Sequence, residues 1–175
     1  DGVTKYSVGD RVAYAGGGLG AYTNKRVISA DAVVKIPNSV TDETAAAIML
    51  KGFTASYLLH RTHPVKEGDI VLFHAIAGGV GLIACQILKQ LGAIVVGTVG
   101  NKKKAELARK YGCDHPILYT EESFKNAVMD ITDGLGVPVV YDSVGASTFN
   151  ESIYCLAKFG TFVSFGNASG PVPPF

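Results

Sequence analysis

The sequence has no tryptophan, few cysteines and almost no net charge, since 16 Lys and Arg against 15 Asp and Glu give +1. A nearly neutral chain offers no broad basic field to nucleic acid. Its three cysteines (85, 113 and 155) form no C-x-x-C pair and its four histidines show no ligand spacing, so we predict neither a disulfide framework nor a metal site.

Long apolar runs are also lacking. No stretch approaches the roughly 18 apolar residues that a membrane span needs. No signal peptide or lipidation motif is recognisable, which favours the cytoplasm. The composition, 47% hydrophobic and 18% charged over 175 residues, predicts a globular protein with a substantial core. The length allows one generous domain, or one domain with a fragment of another.

The most informative pattern is Asp-Ile-Val-Leu-Phe-His-Ala-Ile-Ala-Gly-Gly-Val-Gly at 69–81. An apolar run ends in glycines, and a helix-period pattern follows at once, formed by Val80, Ile83, Ala84, Ile87, Leu88 and Leu91. A second apolar run at 93–99 completes a βαβ unit. This context places backbone N–H groups and a positive helix end where a dinucleotide pyrophosphate can bind.

The strict G-x-G-x-x-G pattern is incomplete, because its first position holds Ile76. The chain instead matches A-x-x-G-x-x-G at Ala75, Gly78 and Gly81. Gly78 would let the backbone approach the phosphates, and Gly81 would let the helix pack closely on the strand. The candidate phosphate-binding residues are therefore Ala77, Gly78, Gly79, Val80 and Gly81. The alternative is a glycine turn that binds nothing.

An acid is missing where NAD-preferring sites carry one, about 20 residues after the glycines. The second strand ends at Gly100 and Asn101 and is followed by three lysines, 102–104. An ammonium would attract a 2′-phosphate that a carboxylate would repel, so NADPH is favoured over NADH. Lys104 is the candidate phosphate ligand. The alternative is a solvated lysine run that opens an amphipathic helix.

Strands and helices alternate from residue 69 onward, with strands near 69–75, 93–99, 116–119, 138–143 and 160–166, and helices near 79–91, 101–111, 121–132 and 147–157. This alternation predicts an α/β fold with a doubly wound parallel Rossmann sheet. The fold is expected to be truncated, because the sixth strand is missing and the chain ends in a proline-rich segment.

The first forty residues differ from the rest. Short strands are predicted at 8–14, 21–28 and 32–36, followed by a linker at 37–40 and helices at about 41–50 and 54–60. Such short β elements suggest the edge of a domain that lies mostly outside this chain. We therefore assign 1–37 to a β-domain remnant and 38–175 to the Rossmann domain.

Ligands of parallel sheets bind at the carboxyl ends of the strands. Besides the glycine turn and the lysines, those ends hold Tyr119, the 142–145 turn with Val144, and a segment with Phe165, Gly166 and Asn167. Tyr119 could stack on adenine or pack at a loop. The last segment could hold a nicotinamide amide through its backbone, or be a plain turn. His74 closes the first strand, where a packed histidine is more common than a catalytic one.

With these residues in hand, the chain resembles the zinc-independent quinone oxidoreductases, the zeta-crystallin-like branch of the medium-chain dehydrogenase/reductase superfamily. The resemblance rests on Val8-Gly-Asp-Arg-Val12, Leu50-Lys-Gly-Phe-Thr54, Phe73-His-Ala-Ile-Ala-Gly-Gly-Val-Gly-Leu82, Gly97-Thr-Val-Gly100, Tyr141-Asp-Ser-Val-Gly145 and Val163-Ser-Phe-Gly-Asn167. It implies that Gly78–Gly81 hold the NADPH pyrophosphate and that Lys104 and Tyr119 hold the adenosine phosphate end.

The resemblance also implies a GroES-like catalytic domain, of which 1–37 would be the last strands, and a homodimer formed through the Rossmann domains. The whole protein would reduce quinones with NADPH, and this fragment alone would be inactive. Thr54 would face the nicotinamide pocket, unless it caps a helix. The alternatives are an NADPH-dependent enone or 2-enoyl reductase, and a nucleotide- or RNA-binding protein without turnover. Near-neutral charge weighs against RNA.

Overall fold

The computed structural model describes residues 2–16 and 18–175. The chain divides into two compact units, Asp1–Phe53 and Thr54–Phe175. No helix in the described part of the chain is long and apolar enough to cross a membrane.

The first unit contains one small antiparallel ladder, in which β1 (Val12–Ala13) pairs with β2 (Val34–Lys35). A 3-10 turn at Ala30–Ala32 precedes β2. The strand predicted at 21–28 is wrong: Tyr22 and Val27 are fully exposed. Its β-branched and aromatic residues have no face to bury, so their propensity alone does not form a strand.

Helix α1 (Asp42–Tyr57) is continuous and passes into a π-helical turn at Leu58–Thr62. The expectation of two separate helices is therefore wrong. Gly52 lies inside the continuous helix, where a glycine costs only about 1 kcal/mol relative to alanine. A side chain caps the start of α1, since the Thr44 N–H donates to Thr41 Oγ1 at 3.1 Å.

The second unit is an alternating α/β fold. Its elements are β3 (Ile70–Phe73), α2 (Gly79–Gln90), β4 (Ile94–Val99), α3 (Lys102–Lys110), β5 (His115–Leu118), α4 (Phe124–Ile131), β6 (Val137–Asp142), α5 (Phe149–Tyr154) and β7 (Leu156–Ser164). The strands are parallel and lie in the order β5-β4-β3-β6-β7. The predicted Rossmann-like fold is confirmed.

Helices cover both faces of the sheet because successive strand residues point to opposite sides. Val71 and Phe73 of β3 pack in the core that includes α2 and α3. Leu72, between them, packs in a second core with Phe124 and Val128 of α4. This alternation makes the unit doubly wound.

Strand β7 contains a register irregularity. Leu156 pairs with Val137, but the next partner of β6, Val139, pairs with Thr161. Phe159, in the extruded segment, is fully exposed with φ 62°. Regular pairing therefore begins at Thr161, close to the predicted start of this strand at 160.

Candidate functional site

The carboxyl ends of four neighbouring strands open into a cavity of about 400 Å³. Six of the residues predicted from sequence line it: Ala77, Gly78, Gly100, Lys104, Tyr119 and Val144. The cavity therefore brings together the glycine turn, the lysine-bearing helix start and the turn after β6. These are three of the strand-end groups that the sequence places at one edge of the sheet.

Gly81 of the turn is required by close packing, and Gly78 lies in a tight contact. A Cβ on Gly81 would lie 2.6 Å from the Ile76 carbonyl carbon and 2.7 Å from the Ala75 carbonyl oxygen. A Cβ on Gly78 would lie 3.0 Å from the same Ala75 oxygen. Gly81 therefore allows α2 to start directly against the end of β3, as the fingerprint predicts.

The missing first glycine has a structural explanation. The residue with left-handed backbone is Ala75, with φ 53°, rather than Ile76. Ile76 is fully buried, and its side chain lies over Gly97 of β4, where a Cβ would come within 2.6 Å of Ile76 Cβ. The tight bend is thus made one residue earlier, by an alanine in a conformation that glycine adopts more easily.

Helix α2 begins without a side-chain cap, because Gly78 is its N-cap residue. The neighbouring α3 and α4 are capped by the side chains of Asn101 and Ser123. The first-turn N–H groups of α2 thus remain available beside the positive end of the helix dipole. This arrangement suits a phosphate group.

Gly100, Lys104 and Tyr119 form the lysine-bearing end of the cavity. A Cβ on Gly100 would lie 2.7 Å from the Tyr119 hydroxyl, so only glycine allows that hydroxyl to stand at the end of β4. Asn101 does not line the cavity, and its Oδ1 accepts from the Lys104 N–H at 2.9 Å. Lys102 instead lies 3.8 Å from Glu121 on the surface.

Val144 is held by a buried carboxylate. Asp142 Oδ1 accepts from the Val144 N–H at 2.6 Å and from the Gly145 N–H at 3.0 Å, and Oδ2 accepts from the Thr148 hydroxyl at 2.6 Å. The turn role expected for Asp142 is therefore confirmed. Through these bonds it fixes the loop that begins α5.

Sequence reasoning missed the wall of the cavity that α4 and α5 provide. It consists of Glu122, Ser123, Phe124, Ser147, Thr148 and Glu151, and the ends of β3 and β4 add His74, Ala75, Thr98 and Val99. The Ser123 hydroxyl donates to Glu151 across the two helix starts at 3.4 Å. For the residues of α4, α5 and the turns before them, the only sequence signal was their position soon after the predicted strands at 116–119 and 138–143.

His74 is fully buried, and burial lowers its pKa to about 4, although the nearby Asp142 carboxylate acts in the opposite direction. Its ring nitrogens lie 3.0 Å from Thr98 Oγ1 and 2.9 Å from Ser152 Oγ. At neutral pH it is therefore an uncharged, hydrogen-bonded imidazole.

The other predicted site residues lie outside the cavity lining. Gly79, Val80 and Gly81 form the first turn of α2, and Thr54 lies inside α1 rather than capping a helix. Phe165, Gly166 and Asn167 follow β7. The Phe165 N–H donates to the Asp142 carbonyl at 2.9 Å, and a Cβ on Gly166 would lie 2.9 Å from the Ser143 carbonyl. Their roles toward a cofactor stay predictions.

Over residues 2–16 and 18–175, no group of three or more His, Cys, Asp and Glu side chains is arranged to hold a metal ion.

The parallel sheet and the glycine turn define a Rossmann-like α/β fold. A family model described as zinc-binding dehydrogenase matches residues 79–175, and the chain belongs to that family. The resemblance found in the sequence motifs is confirmed by the relatives. A quinone oxidoreductase of Pseudomonas aeruginosa is 51% identical over 170 residues, which are 97% of this chain and 52% of that protein.

Two further matches support the same relationship. The crystal structure of the Escherichia coli quinone oxidoreductase complexed with NADPH has a TM-score of 0.96 and 48% identity, covering 99% of this chain and 53% of that one. A 2-haloacrylate reductase of a Burkholderia species is 47% identical over 99% of this chain and 53% of that protein. The chain thus spans about half the length of the curated relatives it matches.

Proposed function

We propose that the chain is the cofactor-binding part of an NADPH-dependent quinone reductase. The observation that carries the proposal is the end of β4, where Gly100, Lys104 and Tyr119 line one cavity. The strand end has no carboxylate of its own. A 2′-phosphate there would meet an ammonium and a phenol hydroxyl, and charge-assisted hydrogen bonds to phosphate stabilise binding by roughly 1.5–3 kcal/mol each.

The residues present fit the rest of a dinucleotide. The uncapped start of α2 and the close approach allowed by Gly78 suit the pyrophosphate. The cavity wall from α4 and α5 would enclose the adenosine end. When bound, NADPH supplies hydride chemistry, and this chain holds the cofactor and orients it.

Relatives support the quinone as acceptor. Quinone oxidoreductases of Pseudomonas aeruginosa, Salmonella typhimurium and Escherichia coli are 51%, 51% and 49% identical to the chain. The enone-reductase and RNA-binding alternatives are not favoured. In the proposal the acceptor site lies largely in the GroES-like domain, of which 1–37 would be a remnant, and the protein is zinc-independent, cytoplasmic and homodimeric.

Calorimetric titration of the chain with NADPH and NADH tests the phosphate assignment. Lys104→Ala should weaken NADPH binding about 10- to 100-fold and leave NADH binding nearly unchanged, because only NADPH carries the 2′-phosphate. Lys103→Ala is the matched control, since Lys103 is exposed beside it but does not line the cavity. An equal loss of NADPH affinity in both variants would mean that Lys104 contributes only general positive charge and does not bind the 2′-phosphate.

The acceptor needs a separate measurement on the whole protein that carries this chain. With NADPH in excess, turnover of 1,4-naphthoquinone should exceed turnover of an enone and of a 2-haloacrylate. A clear preference for either alternative substrate would contradict quinone reduction while leaving the cofactor assignment intact.

A further inference from the structure

We propose that His74 is a positioning residue of the cofactor site: a neutral imidazole, protonated on Nε2, that ties the glycine turn to helix α5 through one directed series of hydrogen bonds. The inference rests on the proposed function for its consequence in NADPH binding. The bonding itself does not depend on that function.

The first half of the series runs from the glycine turn to the imidazole. The Ala75 N–H donates to Thr98 Oγ1 at 3.2 Å, and Thr98 Oγ1 lies 3.0 Å from His74 Nδ1. The Thr98 hydroxyl already accepts from Ala75, and the described residues offer its proton no acceptor other than the imidazole. It therefore donates to Nδ1, which must carry no proton.

The second half runs from the imidazole to α5. The Ser152 hydroxyl donates to the Thr148 carbonyl at 2.7 Å, so its oxygen accepts from His74 Nε2 at 2.9 Å. Thr148 in turn donates its own hydroxyl to Asp142 at 2.6 Å. The series therefore joins the amide of Ala75 to the loop that carries Val144 and Ser147.

The series acts at a place where the backbone needs support. Ala75 has φ 53°, a left-handed conformation that is unfavourable for alanine. Its N–H is held by Thr98, and the ring of His74 is enclosed by Phe124 with centroids 4.9 Å apart. The imidazole is fully buried and hydrogen-bonded at both nitrogens. It therefore fixes the position of the glycine turn relative to the start of α5.

Ser152→Ala is the sharpest test, because Ser152 does not itself line the cavity and reaches it through His74 and the Thr148 carbonyl. We expect the amide hydrogen-exchange rate of Ala75 and the Kd for NADPH each to rise about tenfold. Thr98→Ser keeps the hydroxyl and should change both less than about threefold. Thr132→Val is the control. It removes another buried hydroxyl, which donates to the Val128 carbonyl of α4, accepts from the Gly136 N–H and does not line the cavity.

Imidazole ¹⁵N spectra of the unmodified chain provide a readout that needs no variant. Nδ1 should resonate as an unprotonated nitrogen and Nε2 as a protonated one.

A protonated Nδ1 would overturn the hydrogen-bond series. The series would also be overturned if the amide of Ala75 exchanged at the same rate in Ser152→Ala as in Thr132→Val. If the unmodified chain fails to bind NADPH while the exchange pattern holds, the proposed function fails and the hydrogen-bond series stands. If Ser152→Ala changes exchange but not NADPH affinity, the positioning role fails.

Discussion

At the scale of single residues, Gly100 and Tyr119 act as a pair. The Tyr119 hydroxyl occupies the space that a Cβ on Gly100 would fill, at 2.7 Å. Gly100→Ala should therefore displace the phenol and weaken NADPH binding about tenfold, without adding charge. Calorimetry on Gly100→Ala, Tyr119→Phe and the double variant forms the test. Losses that simply add would show that the two residues contribute independently.

Stability against acid should depend on His74. Its folded pKa of about 4 lies below the ordinary value of 6.5, so the unfolded chain binds more protons between these pH values. Stability from this group is fully present above pH 6.5 and is lost as pH falls toward 4, by up to about 3 kcal/mol.

The variant His74→Gln isolates the imidazole contribution. Chemical denaturation between pH 7.5 and 4 should give a shallower decline of unfolding free energy for the variant than for the unmodified chain, since all other side chains are common to both. Parallel curves would mean that His74 does not titrate on unfolding in this range.

Much of the site could be predicted residue by residue because carboxyl ends of parallel strands share one edge. That argument places Gly78, Gly100, Lys104, Tyr119 and Val144 together, and the cavity confirms their proximity. The same argument could not include Glu122, Ser123 and Glu151, which belong to α4, α5 and the turns before them. Their place in the cavity depends on how the helices pack against the sheet, and no local sequence pattern shows that packing.

At the scale of secondary-structure elements, the start of α2 depends on Gly81. Gly81→Ala would force a Cβ into the Ile76 and Ala75 carbonyl groups, so we expect a loss of about 2–4 kcal/mol of unfolding free energy. Gly52→Ala is the matched control inside α1, where a Cβ meets nothing within 4 Å. It should stabilise by up to about 1 kcal/mol. Urea denaturation of both variants checks the contrast, and equal effects would contradict it.

The elements of the second unit were predictable since hydrophobic period and glycine turns agree there. The predictions that were wrong rested on a single sequence signal each. Gly52 suggested a break that the surrounding helix formers override, and β-type residues at 21–28 suggested a strand that has no partner. The residues before Thr161 are extruded because of the register in which β7 pairs with β6, and no local sequence pattern shows that register.

At the scale of the whole molecule, the three cysteines report on global unfolding. Cys85, Cys113 and Cys155 are buried, and burial raises the pKa of each thiol to about 12. They should react with a thiol reagent at neutral pH only as fast as the fold opens. Labelling rates should rise with urea in step with unfolding seen by circular dichroism. Rapid labelling of any one thiol in the folded protein would show local opening around it.

The two outer strands of the sheet differ in what they can accept. Strand β5 is four residues long and contains Pro116, which has no N–H to donate, whereas β7 runs for nine residues without proline. A strand added along β7 would find regularly spaced backbone donors only from Thr161 to Ser164, beyond the extruded segment at Phe159. If molecules of this protein associated on storage by adding strands to the sheet, the association would begin at the β7 edge rather than at the β5 edge.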